Sequence, residues 1–310
     1  MIELSKQTEE LISEQLSSWE LARNNYAQLG RVKIKELSFD GFSVFVQFNP
    51  ERIRSSAAKV DAKSIGERPC FLCAANRPPE QKGIAVDNNM VILINPFPIF
   101  PRHLTIPSLG HTDQLIRGRF GQMLDLAISL PGYVVFYNGP QCGASAPDHF
   151  HFQAGNSGFM PIESDFAAGS KLYLLRDDGV IKIWKWRSYL RGILTISGSD
   201  KSSLERAFGE FYDSFSALQP DKTEPMLNIL AGFSGGEWII HLIPRKQHRP
   251  VQYFAEGEKK IIVSPASVDL GGVFIVPREE DFERLDKELI VEILDQVCYS
   301  ENEVEQMIKN

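Results

Sequence analysis

Little in this chain of 310 residues points to export or to a membrane. No apolar run approaches the roughly 20 residues that a bilayer-spanning helix needs. The stretch MIELSKQTEE lacks the apolar core of a signal peptide, so the expected location is cytoplasmic. Cysteine is scarce: four residues, two of them in Cys70-x-x-Cys73, do not make the disulfide framework of a secreted domain. Excess positive charge is missing too. A net charge of −7 argues against a nucleic-acid surface, although a local basic pocket can still hold phosphates. What is present, 43% apolar and 24% charged residues, is the composition of a globular protein of one large domain or two ordinary ones.

Histidine is also sparse. Two of the six sit together in the stretch YNGPQCGASAPDHFHFQ, residues 137–153. It begins as the end of an apolar, β-branched and aromatic run, which predicts a strand over residues 133–137. It then passes through Asn138-Gly139-Pro140 and Gly143-Ala144-Ser145, small residues that let backbone approach a ligand. In an extended segment His149, His151 and Gln153 share one face, and Phe150 and Phe152 share the other. Three polar groups above an aromatic face read as a site.

Cys70-Phe-Leu-Cys73 is either a metal half-site or a redox pair. With no second such pair in the chain, any further metal ligands would be histidines. Residues 49–67 are polar and carry Arg52, Arg54, Lys59 and Lys63, the pattern either of a solvated helix or of a segment that reaches phosphates.

The rest reads as alternating elements. A helix is predicted over 5–29, and a hairpin turns at Asp40-Gly41. Strands follow at 89–95 and 103–107, then a helix over 112–130 with Thr112 as its N-cap. Residues 180–187 form a linking strand with Trp184 and Trp186 on one face, packing in a core or stacking on a base. Residues 202–218 and 285–298 read as amphipathic helices, and 300–310 as a short polar helix or a frayed end. His241 lies in an apolar strand, as a satisfied core histidine does.

The small-residue loop followed by His-x-His-x-Gln resembles the nucleotidyl-transfer motif of the histidine-triad superfamily. The match is to the transferase branch, which includes galactose-1-phosphate uridylyltransferase, diadenosine-tetraphosphate phosphorylase and the GDP-hexose phosphorylases. One departure is Asp148, inserted between Pro147 and His149. The resemblance implies that His151 is the nucleophile that carries the nucleotidyl group, and that Gln153 holds the α-phosphate oxygens. Amides of Gly143, Ala144 and Ser145 would donate to phosphate. Ser145 adds a hydroxyl or is only a turn residue. Asn138 falls in the same phosphate loop, and Asn95 either meets ribose or phosphate or caps a turn. Arg54, Lys59 and Lys63 would take the acceptor anion.

Cys-Phe-Leu-Cys is similar to the zinc pair of galactose-1-phosphate uridylyltransferase. That likeness implies a structural Zn2+ site of Cys70, Cys73, His111 and His149, with His149 serving both the metal and the catalytic motif. The implied fold is α+β, with two related units, residues 1–165 and 166–310, the second inactive. Residues 227–233 and 238–245 echo 91–95 and 102–107, and 268–276 fall where a second His motif would be. Residues 264–282 resemble the C-terminal part of GDP-hexose phosphorylases. The implied activity is phosphorolysis of, or transfer from, a nucleotide sugar or dinucleoside polyphosphate, with phosphate or a sugar phosphate as acceptor. Hydrolysis, or nucleotide binding without turnover, is the alternative. No nucleic-acid or membrane partner is expected.

Overall fold

The computed structural model describes residues 2–53, 60–87 and 89–309. Strands β1 (Lys33–Phe39) and β2 (Phe42–Phe48) form the hairpin expected at Asp40-Gly41, with Gly41 at φ 73°, a left-handed position that suits glycine. Next come β3 (Gly83–Val86), β4 (Met90–Ile94) and β5 (His103–Pro107), then β6 (Tyr133–Asn138) and β7 (His151–Asn156). Strands β8 (Leu172–Asp177), β9 (Ile181–Trp186) and β10 (Leu194–Gly198) open the second half. It continues with β11 (Leu227–Ser234), β12 (Glu237–Pro244) and β13 (Val273–Val276).

Strands β3 to β12 make one ten-stranded antiparallel sheet in the order β3-β4-β5-β7-β6-β11-β12-β10-β9-β8. From either edge inward, the sequence of first, second, third, fifth and fourth strand is the same. In each half a helix joins the third strand to the fourth: Phe120–Ser129 in one, Lys201–Leu218 in the other. The halves meet where β6 pairs with β11, so the hydrogen-bond ladder does not break at the middle of the chain.

Both faces of the sheet are covered, which explains why β4 and β6 are buried at every position and read as unbroken apolar runs. On one face the helices Ile2–Ser18, Phe120–Ser129 and Lys201–Leu218 pack over Ile92, Leu104, Phe152 and Ile240, with Phe120 stacked on Phe208 at 4.0 Å. On the other lies a three-stranded sheet, β1-β2-β13, with the helix Lys287–Val297; Val44, Val46, Phe274, Ile290 and Leu294 meet Phe136 and Leu230 there. Trp186 is fully buried in this second core, and its Nε1 donates to Thr195 Oγ1 at 2.8 Å. Among the described residues, no helix is long and apolar enough to cross a membrane.

Several expectations need correcting. The predicted helix over 5–29 is two helices, Ile2–Ser18 and Glu20–Gln28, because Trp19 leaves helical geometry (φ −108°, ψ 103°) and buries its ring. The predicted helix over 112–130 starts only at Phe120. Thr112 is no N-cap; its carbonyl accepts the Phe150 N–H at 2.6 Å, and Gly118 has φ 76°. Residues 268–276 do not stand where a second His motif would be. β13 pairs in parallel with β2 in the small sheet, and the place of β7 is taken by β12. The counterparts of β4 and β5 are likewise β9 and β10, not residues 227–245.

Candidate active site

The His motif straddles a loop and a strand. Phe150 and Phe152 are fully buried in the helix-covered core and meet edge to face at 4.9 Å, which anchors the opposite side of the segment. His151 opens β7 and is only 3% exposed, less than expected of a site residue. Its Nδ1 lies 2.9 Å from the carbonyl oxygen of His149, an acceptor only, so Nδ1 carries the proton and Nε2 keeps the lone pair. Burial pushes the ring down to about 4, so it is neutral near pH 7.

Gln114 holds this strand end. Its Oε1 accepts the His151 N–H at 2.7 Å, and its Nε2 donates to the carbonyls of His151 (2.9 Å) and Asn138 (3.0 Å). That bracing is why 112–119 is irregular despite its helical spacing. The Tyr137 hydroxyl lies 2.9 Å from the Gln114 carbonyl oxygen and 2.5 Å from Glu224 Oε2. Burial pushes Glu224 up to about 7.

A cavity of about 660 Å³ lies over the motif. Asn95, Asn138, Gly143, Ala144, Ser145, His151 and Gln153 all line it. Gly143 has φ 97°, and a Cβ there would meet Ala266 Cβ at 2.5 Å, so the loop can pass this close only as glycine. Asn138 Oδ1 accepts from Asn228 Nδ2 (2.8 Å) and the Ser267 N–H (2.9 Å), which leaves its NH2 as the donor. The amide of Asn95 is fixed in the same way. Its Oδ1 accepts the Phe97 N–H at 2.9 Å, and its Nδ2 reaches Thr105 Oγ1 at 3.1 Å.

Among the described residues, the basic groups at the cavity do not include the expected Lys63. Lys63 lies exposed on the short helix Ala62–Gly66, 4.0 Å from Glu67, and does not line the cavity. Arg54 and Lys59 fall outside the described residues. The cavity instead takes Arg52, Arg68 and Arg249, with His248. Arg52 Nη1 donates to the Phe97 carbonyl at 2.7 Å, and Arg249 Nε to Ser264 Oγ at 3.0 Å. Arg68 Nη2 donates to the Ser145 carbonyl at 2.9 Å, tying the loop to the Cys pair. Asp269 also lines it, pushed up to about 6 by burial and accepting the N–H groups of Ala266 and Ile275 at 2.9 Å each. Arg249 and His248 come from far along the chain, where no local pattern marks them, and Asp269 lies in the stretch 264–282, whose resemblance gave it no role.

Behind the motif, Cys70, Cys73, His111 and His149 bring their ligand atoms within 4.8 Å of one another. Cys70 Sγ is 3.3 Å and Cys73 Sγ 3.5 Å from His149 Nδ1, and Cys73 Sγ is 3.2 Å from His111 Nδ1. Tetrahedral zinc with ordinary bond lengths puts sulfur and nitrogen about 3.6 Å apart, so the four residues fit such an ion. His149 Nε2 lies 2.9 Å from the Ser108 carbonyl, which fixes its proton there and turns the Nδ1 lone pair to the sulfurs. The inserted Asp148 bridges this group to the loop, with Oδ1 3.5 Å from Arg68 Nη2 and Oδ2 3.7 Å from His111 Nε2.

Two family models match the chain. Residues 11–156 match one described as a domain of unknown function (DUF4922), and residues 166–310 match "GDPGP1-like, C-terminal domain". No curated relative matches the sequence. Among solved structures, yeast Ap4A phosphorylase Apa2 in complex with Ap4A is similar at 18% identity with a TM-score of 0.65, covering 95% of this chain and 98% of that one. The same yeast enzyme in complex with AMP gives 18% identity and a TM-score of 0.58, over 94% and 97% of the two chains.

Proposed function

We propose that this chain, whose fold is the histidine-triad-like fold of the transferase branch, is a nucleotidyltransferase of the phosphorylase type that works through a nucleotidyl-His151 intermediate. The observation that carries the reading is the single free nitrogen of His151. Nδ1–H is held by the His149 carbonyl, so only the Nε2 lone pair can attack. A similar solved structure is a phosphorylase in complex with Ap4A or AMP, and the C-terminal half matches a GDPGP1-like C-terminal domain. A dinucleoside polyphosphate or nucleotide sugar is therefore the proposed substrate.

In the first step Nε2 attacks the α-phosphorus. A P–N bond forms, and the bond to the bridging oxygen breaks, with its electron pair leaving on the departing phosphate. Gln153, Asn138 and the amides of Gly143 to Ser145 donate to the equatorial oxygens as charge builds there. Arg52, Arg68 and Arg249 offset the charge of leaving and entering anions. In the second step an oxygen of inorganic phosphate or a sugar phosphate attacks, and the P–N bond breaks back onto Nε2. Gln153 cannot exchange a proton with a nucleophile, so an acceptor that arrives ionised suits this site better than water.

Zinc is the proposed occupant of the Cys70, Cys73, His111 and His149 group, as a closed structural ion. When bound it supplies a fixed crosslink. His149 then offers its carbonyl to His151 from a rigid position, and Arg68 and Asp148 hold the loop against it. The second half of the sheet is proposed as an inactive counterpart of the first.

Nucleotide labelled at the α-phosphorus should leave an acid-labile, base-stable adduct on the protein. Phosphate or a sugar 1-phosphate should discharge it well ahead of buffer alone. Discharge by water as fast as by any acceptor would make the protein a hydrolase, and failure to label would leave only binding.

A further inference from the structure

We propose that His103, a residue with no assigned role, is a positioning residue that locks the side-chain amide of Gln153 with its NH2 toward the cavity. The inference rests on the proposed role of Gln153 as a phosphate-oxygen donor. A glutamine amide has two orientations of nearly equal shape, and the wrong one would turn a carbonyl oxygen toward the phosphate. Something must choose between them.

Backbone hydrogen bonds make the choice, because a backbone N–H can only donate. The Ile99 N–H lies 3.1 Å from His103 Nδ1, so Nδ1 accepts and carries no proton. A neutral ring must then hold its proton on Nε2. That nitrogen is 3.0 Å from Gln153 Oε1, which therefore accepts. Asn95 gives the same answer independently: its Oδ1 is taken by the Phe97 N–H, so its Nδ2 is the group 3.5 Å from Gln153 Oε1. With the oxygen of Gln153 claimed from two sides, its NH2 is the end left for an anion.

The ring itself is held. His103 is fully buried, edge-on to Phe100 at 5.2 Å and 6.0 Å from Phe136. Burial, with Arg52 nearby, pushes it down to about 3, so it keeps one tautomer throughout the working pH range.

Two substitutions separate the two ring nitrogens. Asparagine at 103 places an acceptor near Nδ1 and no donor near Nε2; glutamine places a donor near Nε2. His103→Asn should slow formation of the nucleotidyl-enzyme on the order of 10²-fold with little change in KM, as loss of an oxyanion donor does. His103→Gln should recover to within about tenfold of the parent rate. In the double variant, His103→Asn should slow Gln153→Ala no further, since both act through one amide. Equal rates for the Asn and Gln variants, or additive losses in the double variant, would overturn the proposal.

A readout independent of turnover is the ¹⁵N spectrum of the His103 ring in the unsubstituted protein. Neutral imidazole protonated at Nε2 is expected at pH 7. A proton on Nδ1, or a cationic ring, overturns the lock whatever the activity. An Nε2–H ring in protein that forms no nucleotidyl-enzyme would uphold the lock and remove the proposed function instead.

Discussion

The two halves of the large sheet carry matching rows of side chains, one beneath a cavity and the other inside a packed core. The row is centred on Phe136 and Leu230, which pair at the seam. Gln153 stands beside Phe136, and His241 beside Leu230. Thr105 follows Gln153 on one side, and Thr195 follows His241 on the other. Two residues beyond the partner of that threonine on the next strand, Leu93 in one half and Trp184 in the other, the halves diverge. Asn95 gives an amide hydrogen to Thr105 Oγ1, whereas Trp186 gives its indole hydrogen to Thr195 Oγ1. The small side chain leaves a cavity above the row. The large one fills that space, with Tyr189 at 4.4 Å and His241 at 5.8 Å from the indole ring. One residue in each half thus separates a cavity from a core on the same backbone lattice.

The sharpest way to break this comparison is at the nucleophile. His151→Ala should reduce labelling of the protein by at least about 10⁴-fold, the scale at which removing a nucleophile acts. Ile239 stands at the matching point of β12, two residues before His241. Ile239→His should restore nothing to that variant, because residue 239 does not line the cavity. Labelling of the double variant would overturn the contrast between open and filled halves.

Removing the ligand group, found among the described residues in the first half alone, comes next. Purified protein should carry about one zinc per chain, and Cys73→Ser should lose it together with more than about 5 °C of melting temperature, since binding energy at a structural site is folding energy. Unchanged Tm in metal-free protein would reduce His149 to a prop for His151.

Trp186→Ala tests the filled half. It should cost about 3–5 kcal/mol of stability, as truncation of a buried aromatic does, and leave the chemistry of His151 in place. Asn95→Ala should show the reverse, a slower reaction with Tm little changed. Denaturant unfolding of both variants beside the labelling assay gives the answer.

The smallest effect is in pH. Burial pushes His241 down to about 3, against about 6.5 in an unfolded chain. The unfolded state then takes up the proton first as pH falls. Stability from this residue is complete above pH 6.5 and lost on the way down to 3, about 2 kcal/mol by pH 5. Melting curves at pH 7 and pH 5 should show His241→Gln losing less on acidification than the parent protein.

What could be read from the sequence was local. The alternation of His149, Phe150, His151, Phe152 and Gln153 carries its own geometry, since a period of two is short enough to fix which groups share a face. Cys70-x-x-Cys73 needed only two further ligands. Long-range placement was not legible. β12 and β13 are both short apolar runs, and only pairing with partners far along the chain decides which one joins the large sheet. Gln114 was hidden because Leu115, Ile116 and Phe120 have helical spacing, while the side chain that holds 112–119 out of a helix bonds to residues 138 and 151. Arg249 and Asp269 sit in segments whose composition says nothing of a cavity on the other half.

The parallel pairing of β13 with β2, Val273 beside Phe45 and Val276 beside Phe48, sets an order on biosynthesis. During translation β2 emerges early and must wait, one edge unpaired, until the chain has been made as far as Val276. Ala266, Val268, Asp269 and Ile275, which wall the cavity, arrive with the same late segment. A nascent chain stalled anywhere before them has its His motif but no closed pocket around it, and it exposes a bare strand edge to its neighbours. Truncation near the C-terminus should therefore be felt first as aggregation of newly made protein rather than as a slower enzyme.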